Sequence, residues 1–115
     1  AGGVPRFVRL HPPDWRFDPD DLRAAFSART KLVIVNTPHN PTGKVWTEAE
    51  LDLVGALCHE HDAFALCDEV YSEMVWEGRR HVSLATRPGI RERTITVDSI
   101  ERVGTTFHLR FPAIV

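Results

Sequence analysis

The chain has 115 residues, the length of one domain by the prior of roughly 100–200 residues per domain. Hydrophobic residues make up 43% and charged residues 26%, with 7 glycines and 8 prolines, which excludes a disordered, collagen-like or mucin-like chain. A formal net charge of −2 leaves no cationic surplus to neutralise phosphates, so general nucleic-acid binding is not expected. No uncharged apolar run approaches the roughly 20 residues of a membrane span, so no membrane partner is expected. The first residues, Ala1-Gly2-Gly3-Val4-Pro5-Arg6, lack a signal-peptide layout, and a start at Ala1 suggests a piece of a longer protein. Cys58 and Cys67 are too few to staple a domain; they fit a reducing, cytoplasmic compartment. A chain this short buries only about two-thirds of its unfolded surface, so enclosing a large cofactor pocket alone is difficult.

Val4 to Leu10 reads as a short strand with Pro5 near its start. His11-Pro12-Pro13-Asp14-Trp15 is a loop, because consecutive prolines exclude a helix. At Asp18-Pro19-Asp20-Asp21 a helix should begin: Asp18 can cap, Pro19 suits the first turn, and the acids suit the positive helix end. Leu22, Ala25 and Phe26 would line its inner face. Lys31 to Val35 is nearly continuously apolar, the pattern of a parallel strand covered on both faces. A Pro/Gly-rich loop follows from Asn36 to Lys44. Thr47 and Glu50 form a capping box, and Leu51, Val54, Leu57 and Cys58 recur at helical spacing, so a helix is expected from Thr47 to about His61. Ala63 to Cys67, ending at Asp68, and Thr94 to Val97, ending at Asp98-Ser99, read as two further strands. The rhythm indicates an α/β fold with a parallel sheet, and such sheets bind ligands outside the carboxyl ends of their strands.

Polar residues gather at those ends. In Asn36-Thr37-Pro38-His39-Asn40-Pro41-Thr42-Gly43 the prolines stiffen the loop, and it can hold the Asn40 amide, donor and acceptor at once, against a planar ligand. A tight connection in which Asn40 satisfies its own backbone is the plainer reading. Asp68, ending a buried strand, needs a partner such as a protonated ring nitrogen. Tyr71, three residues on, can offer a phenol to the same ligand; a helix-capping Asp and a packed Tyr are the alternative. Ser99 can hold a phosphate or simply cap a strand end. Cys58, His59, His61, Cys67 and Asp68 have no zinc spacing, so no metal is expected. His39 reads as solvated, His81 beside Arg79-Arg80 as an exposed turn, and Trp15, Trp46 and Trp76 as loop anchors rather than stacking platforms.

Asn-Thr-Pro-His-Asn-Pro-Thr-Gly, followed 28 residues after Asn40 by Asp68-Glu69-Val70-Tyr71, resembles the pyridoxal-phosphate-dependent class I/II aminotransferases, the fold-type-I or aspartate-aminotransferase-like group. The sub-branch is most similar to kynurenine, glutamine, methionine or succinyldiaminopimelate transaminases; Gly78 to Val82 and Pro88 to Val97 have the same look. The resemblance covers roughly residues 1–99. It implies part of the mostly parallel sheet of the cofactor-binding large domain at 1–99, with a divergent tail at 100–115. It also implies pyridoxal 5'-phosphate as cofactor. Asn40 and Tyr71 would hydrogen-bond its phenolic oxygen, Asp68 would pair with its pyridine nitrogen, and Ser99 would contact its phosphate. The parent activity would be ping-pong transfer of an amino group from an L-amino acid to a 2-oxo acid, by a full-length homodimer.

The family's Schiff-base lysine follows that serine by three positions, in Ser-x-x-Lys-Thr-Phe. Here Arg102 stands at that place counted from Ser99, and Thr105 counted back from Thr106-Phe107. Arginine stays protonated and cannot serve as the amine nucleophile. The remaining lysines, Lys31 and Lys44, match no such position. Residues 100–115 therefore read as out of register with the family, as a truncated, frameshifted or pseudogene-derived frame would be. The isolated chain is expected to be inactive in transamination, with no catalytic residue of its own. The alternatives are a non-catalytic remnant, a carbon–sulfur lyase of the same fold, and an unrelated α/β domain.

Overall fold

A computed structural model describes residues 2–99 and 107–111, with 107–110 traced as backbone. Helix α1 spans Pro19–Ala25. The Asp18 carboxylate accepts from the Asp20 amide at 2.8 Å, and Leu22 and Phe26 turn into the core. Strand β1 is Leu32–Asn36 and helix α2 is Glu48–Glu60. The reciprocal capping box forms: the Thr47 hydroxyl accepts from the Glu50 amide at 3.3 Å, and the Glu50 carboxylate accepts from the Thr47 amide at 2.8 Å. Leu51, Val54, Leu57 and Cys58 of α2 are all buried. Strands β2, Phe64–Asp68, and β3, Thr94–Ser99, follow, with two single 3-10 turns between them at Leu84–Thr86 and Arg91–Arg93.

The sheet order is β1-β2-β3-β4, where β4 is Phe107–Arg110. The first three strands are parallel, with Asn36 beside Asp68 and Asp68 beside Val97. β4 runs antiparallel to β3 and sets Phe107 opposite Ser99. It lies within the stretch read from sequence as a divergent tail, where no strand was expected. Arg102 and Thr105 lie outside the described residues.

Two expectations fail. Residues 4–10 form no strand, and Val4 and Phe7 are 89% and 90% exposed. Alternation shows that a segment can be a strand; a strand also needs a ladder partner, and none of the described residues provides one. The chain then turns back where the His11 amide donates to the Arg16 carbonyl at 2.7 Å. Nor is β1 covered on both faces. Val35 is buried, whereas Leu32 and Ile34 are 45% and 68% exposed.

One face of the sheet therefore carries the core. Val35, Ala65 and Cys67 pack with α2, Leu84 and Ile90 in a single buried cluster. Arg87 fastens the 3-10 segment to α2 through Asp52, at 2.7 and 2.9 Å, and Glu48, at 2.6 Å. Cys58 and Cys67 are free and buried; burial pushes the Cys58 thiol up to about 11 and raises Cys67 further. Among the described residues no helix is long and apolar enough to cross a membrane, and no His/Cys/Asp/Glu group could hold a metal ion.

Candidate functional site

Parallel pairing brings Asn36, Asp68 and Val97 level at the carboxyl end of the sheet. Strand side chains alternate between faces. Val35, Cys67 and Thr96 are buried on the covered face, so Asn36, Asp68, Val97 and Ser99 belong to the opposite one.

The loop after β1 is held onto that end by backbone and side-chain bonds. Thr37 N–H donates to the Asp68 carbonyl at 3.0 Å. Its hydroxyl accepts from the Trp46 amide at 3.2 Å. The Gly43 amide, at φ +70°, donates to the His39 carbonyl at 2.7 Å and closes the turn, a backbone geometry that glycine adopts at little cost. His39, read as solvated, is half-buried, with Nδ1 2.7 Å from the Thr42 hydroxyl.

Asn40 and Tyr71 meet: the Asn40 amide donates to the Tyr71 hydroxyl at 3.3 Å. This departs from the plainer reading, in which the Asn40 side chain serves its own backbone. That task falls to Asn36. Its Oδ1 accepts from the Asn40 backbone amide at 2.8 Å, while its Nδ2 donates to the Asp68 carbonyl at 3.1 Å. Asn36 thus joins the two sequence motifs through one side chain. Sequence reasoning missed it; the available signal was an amide side chain ending an apolar strand.

The Asp68 carboxylate accepts from the Val70 amide at 3.3 Å, an Asx-type contact that starts the turn carrying Tyr71. Ser99 donates its hydroxyl to the Val70 carbonyl at 3.2 Å, tying β3 to the same turn. A hydroxyl has one proton, so in this arrangement Ser99 offers a further ligand only its lone pairs. Asn40 is exposed, and Asp68, Tyr71 and Ser99 are half-buried. The four sit at an open sheet end, apart from an open groove of about 1020 Å³ lined by Phe17, Lys44 and Leu53.

Neither lysine side chain bonds to this cluster, although Lys44 ends the loop that follows β1. Lys44 is buried against Glu50 at 2.6 Å. Lys31 precedes β1 at the opposite end of the sheet, where its carbonyl accepts from Phe64. His81, read as an exposed turn, is in fact 13% exposed at its side chain, with Nε2 3.3 Å from Glu69 Oε2. Of the tryptophans, Trp46 packs against Phe17, with ring centroids 5.0 Å apart, whereas Trp76 is 71% exposed.

The sequence model of the family described as aminotransferase class I and II matches residues 1–100. The chain belongs to this family. It is 46% identical to mouse kynurenine–oxoglutarate transaminase 3 over 117 residues, covering 93% of this chain and 25% of that protein. It is 44% identical to human kynurenine–oxoglutarate transaminase 1 over 118 residues, covering 93% and 27%. Among solved structures, N-succinyldiaminopimelate aminotransferase from Mycobacterium tuberculosis superposes with a TM-score of 0.73 at 40% identity, over 78% of this chain and 24% of that one. An Escherichia coli protein described as having a methionine aminotransferase function gives a TM-score of 0.72 at 38% identity, over 77% and 24%. The chain thus spans about a quarter of the curated relatives it matches. The α/β fold with parallel strands is shared with these aminotransferase structures, as expected.

Proposed function

We propose that the strand-end cluster is the ring-binding part of a pyridoxal 5'-phosphate site, and that the parent protein transfers amino groups from an L-amino acid to a 2-oxo acid. One observation carries this reading: the Asn40 amide lies 3.3 Å from the Tyr71 hydroxyl, above a strand end where Asp68 places a carboxylate on the same face. The donor set fits the group. Asn40 and Tyr71 offer two donors to a phenolate oxygen, and Asp68 holds a negative charge for a protonated pyridine nitrogen. Ser99 fits the phosphate less well, because its proton already serves Val70.

Bound there, pyridoxal phosphate supplies an electron-withdrawing ring that stabilises negative charge at a substrate α-carbon. The chain's own part is to bind and orient. Asp68 would keep the ring nitrogen protonated, while Asn40 and Tyr71 would fix the ring's rotation. Asn36 would hold both motifs in register. Neither lysine is free to move a proton at the substrate: Lys44 Nζ is engaged by Glu50 at 2.6 Å, and Lys31 precedes β1 at the opposite end of the sheet. That observation favours the second reading, in which this chain by itself is a non-catalytic binder. The kynurenine, methionine and succinyldiaminopimelate relatives leave the amino donor open. Two buried free thiols suit a reducing cytoplasm, and a homodimer of the full-length parent belongs to the same proposal.

Tryptophan-fluorescence quenching by pyridoxal phosphate tests the reading. Saturable binding should weaken about tenfold in Asp68→Ala, the order of one lost charge-assisted contact. The isolated chain should not transaminate any amino acid above the rate of free cofactor. Equal binding by wild type and Asp68→Ala contradicts the site, and clear turnover contradicts the non-catalytic reading of the chain.

A further inference from the structure

Glu69 and His81 belong to no part of the proposed ring site. Glu69 follows Asp68 directly, so strand alternation sends its side chain to the opposite, covered face. There its charge helps raise the Cys67 thiol, after burial itself. The Glu69 and His81 side chains are only 6% and 13% exposed, with His81 Nε2 3.3 Å from Glu69 Oε2. Glu69 Oε1 and both ring nitrogens of His81 are buried and have no hydrogen-bond partner among the described residues, so the 3.3 Å approach is a close contact and not a hydrogen bond. Buried polar atoms are normally satisfied, and an exception in a native fold calls for a reason.

The segment between them supplies the reason. No residue from Val70 to Ser83 is buried except in part, and Met74 and Trp76 are 54% and 71% exposed. The excursion turns at Glu77 and Gly78, both at positive φ, and its internal ion pair Arg79–Glu77 is open to solvent. Its root is Glu69. The Glu69 amide donates to the Val97 carbonyl at 2.8 Å, its carbonyl accepts from Ser72 at 2.9 Å, and the turn so formed carries Tyr71. The Glu69–His81 contact therefore joins the two ends of a loosely held loop at the point from which the phenol projects.

We propose that Glu69 and His81 are positioning residues for Tyr71: their contact across the covered face closes the loop of residues 69–81 and fixes the phenol against Asn40 on the other face. The consequence for catalysis rests on the reading of Tyr71 as a cofactor-facing phenol; the positioning itself does not, and is measured without cofactor. Tyr71 is the single tyrosine of the chain, so tyrosine labelled with carbon-13 at Cζ gives one resonance that reports it alone.

In the full chain, Glu69→Gln and His81→Leu should each move that resonance and speed Ser72 amide exchange about tenfold by local opening. The double variant should do no more than either single one. His81→Gln, which keeps a polar side chain beside Glu69, should restore most of the wild-type signal. Leu84→Val, a core change on the same face, should lower the unfolding midpoint and leave the Tyr71 resonance in place. A Tyr71 signal unmoved by Glu69→Gln or His81→Leu, or moved as much by Leu84→Val, overturns the proposal. Should both loop variants unfold, wild-type exchange decides: Ser72 protected to the level of β2 supports the latch, and free exchange contradicts it.

Discussion

The two faces of the sheet are built from the same three parallel strands and have opposite roles. On the covered face Val35, Ala65 and Cys67 are almost fully buried beneath α2 and the 3-10 turns. On the other, Leu32, Ile34 and Phe64 stay 45%, 68% and 42% exposed. The polar residues proposed for function, Asn36, Asp68 and Ser99, lie at the end of the exposed face. Burial is concentrated where α2 packs, and the proposed site lies where packing stops. The Glu69–His81 contact is the place where the covered face reaches across to the other.

Substitutions can break this comparison. Leu51 is fully buried in α2, and Leu51→Ala should destabilise the chain by about 2–5 kcal/mol through lost transfer energy and a cavity. Denaturant unfolding checks it; a change no larger than that of Ile34→Thr would mean that the faces are not energetically distinct. Asn36→Leu should come next, at about 1–3 kcal/mol, because it strips one hydrogen bond from the half-buried Asp68 carbonyl and one from the exposed Asn40 amide. Exchange of the Asn40 amide should speed with it, and an unchanged Asn40 amide would remove Asn36 as the link between motifs. Ile34→Thr, on the exposed face, should alter stability by less than about 0.5 kcal/mol.

Two chemical tests sharpen the contrast. With Cys58 raised to about 11 by burial and Cys67 higher, neither thiolate is populated near neutral pH. A thiol reagent at pH 8 should label the chain only at the rate of unfolding; immediate labelling of either cysteine would show that the covered face is open. The smallest effect concerns Asp52, which the hydrogen bonds and charge of Arg87 hold below its usual carboxylate range. A group with a depressed folded pKa contributes stability above its unfolded value of 3.8 and loses it as pH falls through the lower folded value. Arg87→Met should therefore flatten the acid limb of the stability profile below pH 4 and leave its shape near neutrality unchanged. An acid limb identical in both proteins would contradict the linkage.

How much of this was legible follows the range of the interaction. The cap of α1 and the capping box of α2 could be read directly, because donor and acceptor lie within three residues of each other. The three parallel strands were legible as apolar runs, whereas β4 was not. The failure of residues 4–10 to pair, and the bare face of β1, were not, since hydrophobicity shows what a segment could bury and not what is present to cover it. Asn40, Asp68 and Tyr71 were legible as separate strand-end residues, and their joining depends on register. Asn36 reaches Asp68 only because β1 and β2 run in parallel and level. His81 is the clearest miss. Preceded by two arginines it read as an exposed turn, and only the returning chain brings it beside Glu69.

The central claim is that Asn40, Asp68 and Tyr71 act on one flat ring. Titrating pyridoxal phosphate into the chain while following the single labelled tyrosine resonance and the Asn40 side-chain amide tests it most directly. The account predicts that both signals move along one saturation curve, and that Asp68→Ala weakens the two together. Signals that follow separate curves, or saturation elsewhere on the chain while Tyr71 stays still, would contradict it.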